Sequence, residues 1–111
     1  MEQIDIEREM KTAVNKIEEI GGLYAEAKAL SYQMQKMRSV VLASEMRNFE
    51  GSMASREMNA LASDKYILHL AGVKEAIEVE TKLKAGYERW QAQYEACRSL
   101  LSLEKAKANI R

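Results

Sequence analysis

The residues able to do chemistry are few and poorly placed for it. His69 is the only histidine and Cys97 the only thiol of the 111 residues. They stand 28 positions apart on what reads as one helix, roughly 40 Å along its axis. A Cys/His zinc site and a Cys–His catalytic pair both need those groups within bonding reach. The pairing is therefore excluded within a continuous helix. Cys97 falls between Tyr94 and Leu101 on an apolar stripe, where a thiol packs as a small hydrophobe. The acidic pairs Glu18-Glu19 and Glu75-Glu78 lack the inward Glu-x-x-His pattern of a di-metal bundle and read as solvated faces. Glu78–Lys82 and Glu80–Lys84 have the i,i+4 spacing of helix ion pairs. No Gly-rich phosphate loop or nucleophile elbow occurs. No catalytic residue, metal ligand or cofactor is expected, and the chain reads as not an enzyme.

Binding chemistry has three candidates. Tyr87, Trp90 and Tyr94, with Arg89 and Arg98 nearby, have the residue types of a base-stacking platform, yet they share one helical face with Leu83 and Leu101, which favours packing. Lys28, Lys36, Arg38 and Arg47 against Glu45 give the middle of the chain a local +3, the one feature that keeps nucleic acid in play as a weak patch. Met46, Met53 and Met58, three of seven methionines, gather where the chain turns. Their adaptable side chains suit a partner-binding tip.

The elements that would position these groups are helical. Apolar residues recur on a three-four rhythm at Ile6, Met10, Ala13, Ile17, Ile20, Tyr24, Ala27, Leu30, Met34, Met37 and Val41. A second run follows at Leu83, Tyr87, Trp90, Tyr94, Cys97 and Leu101. Such alternation makes a coiled-coil-like seam. There is no proline, so nothing forces a helix to stop. The expectation is one helical domain over residues 1–111, all-α, with a helix over about 4–48, a short helix over about 54–62 and a helix over about 65–106. Asn48, Gly51 and Ser52 mark the break, and Ser63-Asp64 the start of the last helix. In the short helix Met58 and Leu61 are expected inward. The last helix begins its seam on Tyr66, Leu70, Val73 and Ile77, then shifts phase near Ala76–Val79, as at a stutter. Gly21-Gly22 interrupts the first helix without loss of phase, favouring a kink or close contact over a loop.

Two helices of about 45 residues, each about 65 Å long, fold naturally into a long antiparallel hairpin with the short helix connecting them. Residues 1–27 hold seven acids and three bases, a net of −4 within a chain of 17 positive and 17 negative side chains. That acidic end would lie beside Arg98, Lys105, Lys107 and Arg111. Val14, Leu23 and Val40 on the first helix, and Ile67, Leu68, Val79, Leu100 and Leu103 on the last, flank the seams, so the apolar stripes exceed what one partner helix covers. Oligomerisation into a coiled-coil-like bundle is the expected remedy, with Ile17, Tyr24, Met34, Leu83, Tyr87, Trp90, Tyr94 and Leu101 in its core or interface.

One cysteine points to a reducing compartment. The start MEQIDIEREM has no signal-peptide h-region, and no apolar run is long enough to span a bilayer. A cytoplasmic protein without a membrane partner is expected.

The stretch around Arg56-Glu57, Ala60, Ala62-Ser63, Tyr66, Leu70 and Ala76, followed by Glu95-Ala96-Cys97-Arg98-Ser99, resembles small uncharacterised helical proteins encoded by tailed bacteriophages and prophages. The resemblance covers roughly residues 54–105. It implies a bacterial host cell and an accessory role in phage DNA recombination or replication, through protein–protein or single-stranded DNA binding. An inhibitor that occludes a host defence or repair enzyme is the alternative. The expected partners are the chain itself and a phage or host protein.

Overall fold

The structure is a computed structural model and describes residues 2–110, so Arg111 of the basic C-terminal group lies outside it. The chain is all-α, with no strand among the described residues. Helix α1 spans Gln3–Lys36, α2 Arg38–Met46, α3 Met53–Leu61 and α4 Asp64–Ile110. The elements form two compact units, Met1–Ala25 with Lys82–Arg111, and Glu26–Thr81.

In the first unit α1 and α4 run antiparallel, because Glu9 meets Cys97 while Ile20 approaches Gly86. The α4 seam expected from sequence is inward at each position. Cys97 is buried, and Leu83, Tyr87, Trp90, Tyr94 and Leu101 are half-buried. On α1, Ile6 and Ala13 are buried and Met10, Ile17, Ile20 and Tyr24 half-buried. Tyr24 and Tyr87 meet as tilted rings with centroids 6.0 Å apart, within the range of favourable aromatic pairs. The acidic and basic ends are not joined by ion pairs among the described residues. The ion pairs present are local i,i+3 contacts, Lys16–Glu19, Glu95–Arg98 and Glu104–Lys107, rather than the i,i+4 pairs expected at Glu78–Lys82 and Glu80–Lys84. Such exposed pairs add little stability.

Gly21 and Gly22 sit inside α1 without breaking it. A Cβ on Gly21 would lie 3.2 Å from Tyr87 Cε2, whereas one on Gly22 would meet nothing within 4 Å. Gly22→Ala should therefore keep the helix-propensity gain and raise unfolding stability by about 0.5–1 kcal/mol. Gly21→Ala should gain less or lose, because the Tyr87 ring must yield. Urea unfolding of the two variants checks this. Equal gains would mean that Tyr87 does not press on the helix.

The second unit holds the turn of a helical hairpin. The first long helix, expected to reach residue 48, is interrupted at Met37 and ends at Met46. Met37 itself stays near helical geometry, with φ −73° and ψ −9°. Ladder bonds cross the junction from Met37 N–H to Gln33 O and from Val41 N–H to Met37 O. The Met34 carbonyl lies 3.0 Å from His69 Nε2, so that nitrogen carries the proton and donates. A side chain reaching into the ladder is a recognised cause of helix irregularity.

After α2, Gly51 adopts φ +115°, a value that only glycine takes without strain. Ser52 caps α3 by accepting from Ser55 N–H at 3.2 Å. Arg56 Nε donates to the Met46 carbonyl at 3.2 Å, satisfying one of the carbonyls that the end of α2 leaves open. Ser63 closes α3 and opens α4, since its hydroxyl donates to Ala60 O at 2.7 Å and accepts from Tyr66 N–H at 3.3 Å. Helix α4 then continues to Ile110, four residues past the expected end.

Candidate interaction surface

The two halves of the hairpin in the second unit meet through small and polar residues. Ser31, Glu45, Ala60, Tyr66 and Ala76 are buried. Ser31 Oγ accepts from Gln35 Nε2 at 3.0 Å, Glu45 Oε2 accepts from Asn48 Nδ2 at 2.6 Å, and Tyr66 OH accepts from Arg38 Nε at 3.0 Å. No buried side-chain nitrogen or oxygen among the described residues lacks a partner. A satisfied polar layer costs little.

This layer corrects the expected seam. Leu30 and Met37, placed inward from sequence, are 55 % and 43 % exposed, whereas Ser31 is fully buried and Arg38, itself exposed, donates from Nε to Tyr66 OH. On α4 the inward residues are Tyr66, His69, Val73, Ala76 and Glu80, while Leu70 and Ile77 are exposed. The spacing alternates three and four and reaches Leu83 three residues after Glu80, so the phase shift expected near Ala76–Val79 does not occur. The physical reason is close approach. A Cβ on Gly72 would stand 2.9 Å from Met34 Cε. Met34 therefore lays the end of its side chain over Gly72, and the small Ser31 and Ala76 are buried nearby.

The displaced apolar side chains build a surface. A shallow groove of about 260 Å³ runs between Ala27, Leu30 and Met34 on α1 and Gly72, Ala76 and Val79 on α4, with Glu75 at its edge. A second groove of about 370 Å³ shares Leu30 and Met34 and adds Gln33, Met37, Val41 and His69. Val79 is 46 % exposed. Sequence reasoning missed Leu30 and Met37 as surface residues. The available signal was the step Tyr24, Ala27, Leu30, two threes in a row, where the apolar rhythm slips one residue from the true seam at Ala27, Ser31, Met34.

The connecting helix reverses a second expectation. Met58 is 72 % exposed and Leu61 is exposed, whereas Ala60 is fully buried. The turn holds α3 by Arg56 and the small Ala60, which leaves Met58 and Leu61 outward. Of the methionine tip, Met53 is 70 % exposed and Met46 half-buried.

Lys28, Lys36, Arg38 and Arg47 are all exposed; Arg38 Nε donates to Tyr66 OH, and Lys36 Nζ lies 4.6 Å from the centroid of the Tyr32 ring. Tyr87, Trp90 and Tyr94 face the α1–α4 seam of the first unit, Arg89 is exposed, and Arg98 pairs with Glu95. All eight flanking residues from Val14 to Leu103 are exposed.

His69 and Cys97 belong to different units. The Cys97 thiol lies 3.8 Å from Glu9 Oε2, and Gln93 Nε2 approaches both. Burial pushes the Cys97 thiol above its ordinary pKa, and the Glu9 carboxylate adds to the shift. A thiol kept protonated is a poor nucleophile and a poor metal ligand. No group of three or more His, Cys, Asp or Glu able to hold a metal ion occurs among the described residues. Among the described residues no helix is long and apolar enough to cross a membrane. Comparison with protein-family models, curated proteins and solved structures gives no match to this chain.

Proposed function

We propose that this chain is a small non-enzymatic interaction protein that docks helices on the apolar face of residues 27–41 and 69–79. One observation carries this reading: side chains are inverted there, with Leu30, Met37 and Val79 outward while Ser31 is buried and His69 reaches the Met34 carbonyl within the pair. Fully burying a side chain such as Leu or Met is worth about 1.5–3 kcal/mol. A face of this kind, edged by only one carboxylate, has the character of a docking surface. The resemblance of residues 54–105 to phage-encoded helical proteins supports the setting, an accessory role in phage DNA recombination or replication within a bacterial cell. Protein is the favoured partner over single-stranded DNA, because Arg38 of the basic group is already held by Tyr66.

The test uses the full chain and its Leu30→Lys/Val79→Lys variant as paired baits in bacterial lysate with phage proteins present. A partner retained by the first and lost by the second is the expected result. Identical recoveries would remove the docking face. A short single-stranded oligonucleotide that raises the light-scattering mass of both baits equally would move the function to nucleic acid.

A further inference from the structure

We infer that the junction between α1 and α2 is a two-state joint latched open by His69, in which the Met34 carbonyl exchanges the Arg38 N–H for the His69 imidazole as its donor. Nothing local stops a helix there. No glycine or proline stands between Gly22 and Gly51, and Met34, Gln35, Lys36, Met37 and Arg38 are all good helix formers. Yet α1 ends at Lys36 and α2 begins at Arg38, with Met37 alone between them. Loss of a single rung, Arg38 N–H to Met34 O, leaves this pattern. The flanking rungs stay closed, Met37 N–H to Gln33 O at 3.0 Å and Val41 N–H to Met37 O at 2.9 Å.

The carbonyl left open, Met34 O, is the one that His69 Nε2 reaches at 3.0 Å. Helix α4 also holds the displaced residue by its side chain, since Tyr66, one turn before His69, accepts from Arg38 Nε at 3.0 Å. One peptide thus combines an interrupted ladder, a tertiary donor on its open carbonyl and an anchor on the residue whose N–H is displaced. A side chain that enters the ladder in this way kinks a helix. Exchange of one donor for another keeps both states accessible, because a hydrogen bond is replaced by a like one. In the latched state the exposed Arg38 leaves its N–H to water. Met37 ψ stands at −9°, about 30° from the helical value. Closing the rung therefore re-aims α2, and with it α3, which packs on α2. Helix α3 carries the exposed Met53 and Met58, so the joint sets where the connecting helix presents them. Short irregularities inside long helices often serve as hinges.

Amide hydrogen exchange on the full chain, read residue by residue by NMR and corrected for intrinsic rates, tests the inference. In the wild type the Arg38 amide should exchange at least about tenfold faster than those of Gln35 and Leu42, which hold rungs within α1 and α2. In His69→Phe, which keeps a ring but no donor, the Arg38 amide should slow at least about tenfold. His69→Gln, whose amide nitrogen can stand near the place of Nε2, should keep the wild-type rate within about threefold. A wild-type Arg38 amide as protected as Gln35 and Leu42 overturns the inference, and that reading needs no variant to fold. An Arg38 amide that stays fast in folded His69→Phe, or slows in His69→Gln, shows that something other than the His69 donor holds the joint and overturns it as well.

Discussion

Trp90→Asp should lower the unfolding free energy by about 3–5 kcal/mol, the range of large core truncations, and the thermal midpoint by more than about 10 °C. Trp90 stands half-buried between Tyr87 and Tyr94 on the inward side of α4 in the first unit. Its replacement removes a large apolar surface and turns a carboxylate toward the α1 seam, where burying a charge without a partner is costly. Asp is also a poorer helix former than Trp near mid-helix. Trp90→Phe keeps the ring and should lose far less. Thermal circular dichroism and urea titration of the two variants decide the matter. An unchanged midpoint for Trp90→Asp would mean that Trp90 does not pack against α1.

Cys97 should react with a maleimide at least about 100-fold more slowly in the native protein than in the chain unfolded in urea. The thiol is 1 % exposed, so reagent reaches it only through opening of the α1–α4 pair, and the rate reports the free energy of that opening. Chemistry adds to access, since burial first and the Glu9 carboxylate second hold the pKa up, and only the thiolate attacks. The sign of the linkage follows. The protonated thiol is the form the folded state favours, so its contribution to stability is complete below the ordinary thiol pKa. It is lost as pH rises through the elevated native value. Stability should decline on the alkaline side, and Glu9→Gln, which removes one of the causes that raise the native pKa, should make that decline smaller and end it at lower pH. Native labelling as fast as in urea would show that the Glu9, Gln93 and Cys97 contact does not close.

Much of the architecture is local in origin and was legible from residue order. The absence of proline, the Gly51-Ser52 break and the Ser63 cap act within a few residues of themselves. They place α3 and α4 to within a residue at their starts. The seam of the first unit was legible for another reason. Its inward positions from Leu83 to Leu101 are filled by large apolar or aromatic residues and Cys97, so hydrophobic periodicity and actual burial coincide.

In the second unit they part. Where Met34 covers Gly72, Ser31 and Ala76 are buried while Leu30 is exposed. Hydrophobic pattern reports which residues favour burial, whereas the separation of two helices decides which ones fit. That fit depends on residues 28 or more positions away in sequence. The hydrogen bonds from Arg38 to Tyr66 and from His69 to Met34 join residues 28 and 35 positions apart. By itself the sequence determined an all-α chain, its antiparallel pairing and the location of its turn. Only the tertiary structure decided which face of the middle segment is outside, because the choice between Leu30 and Ser31 is made by the helix opposite.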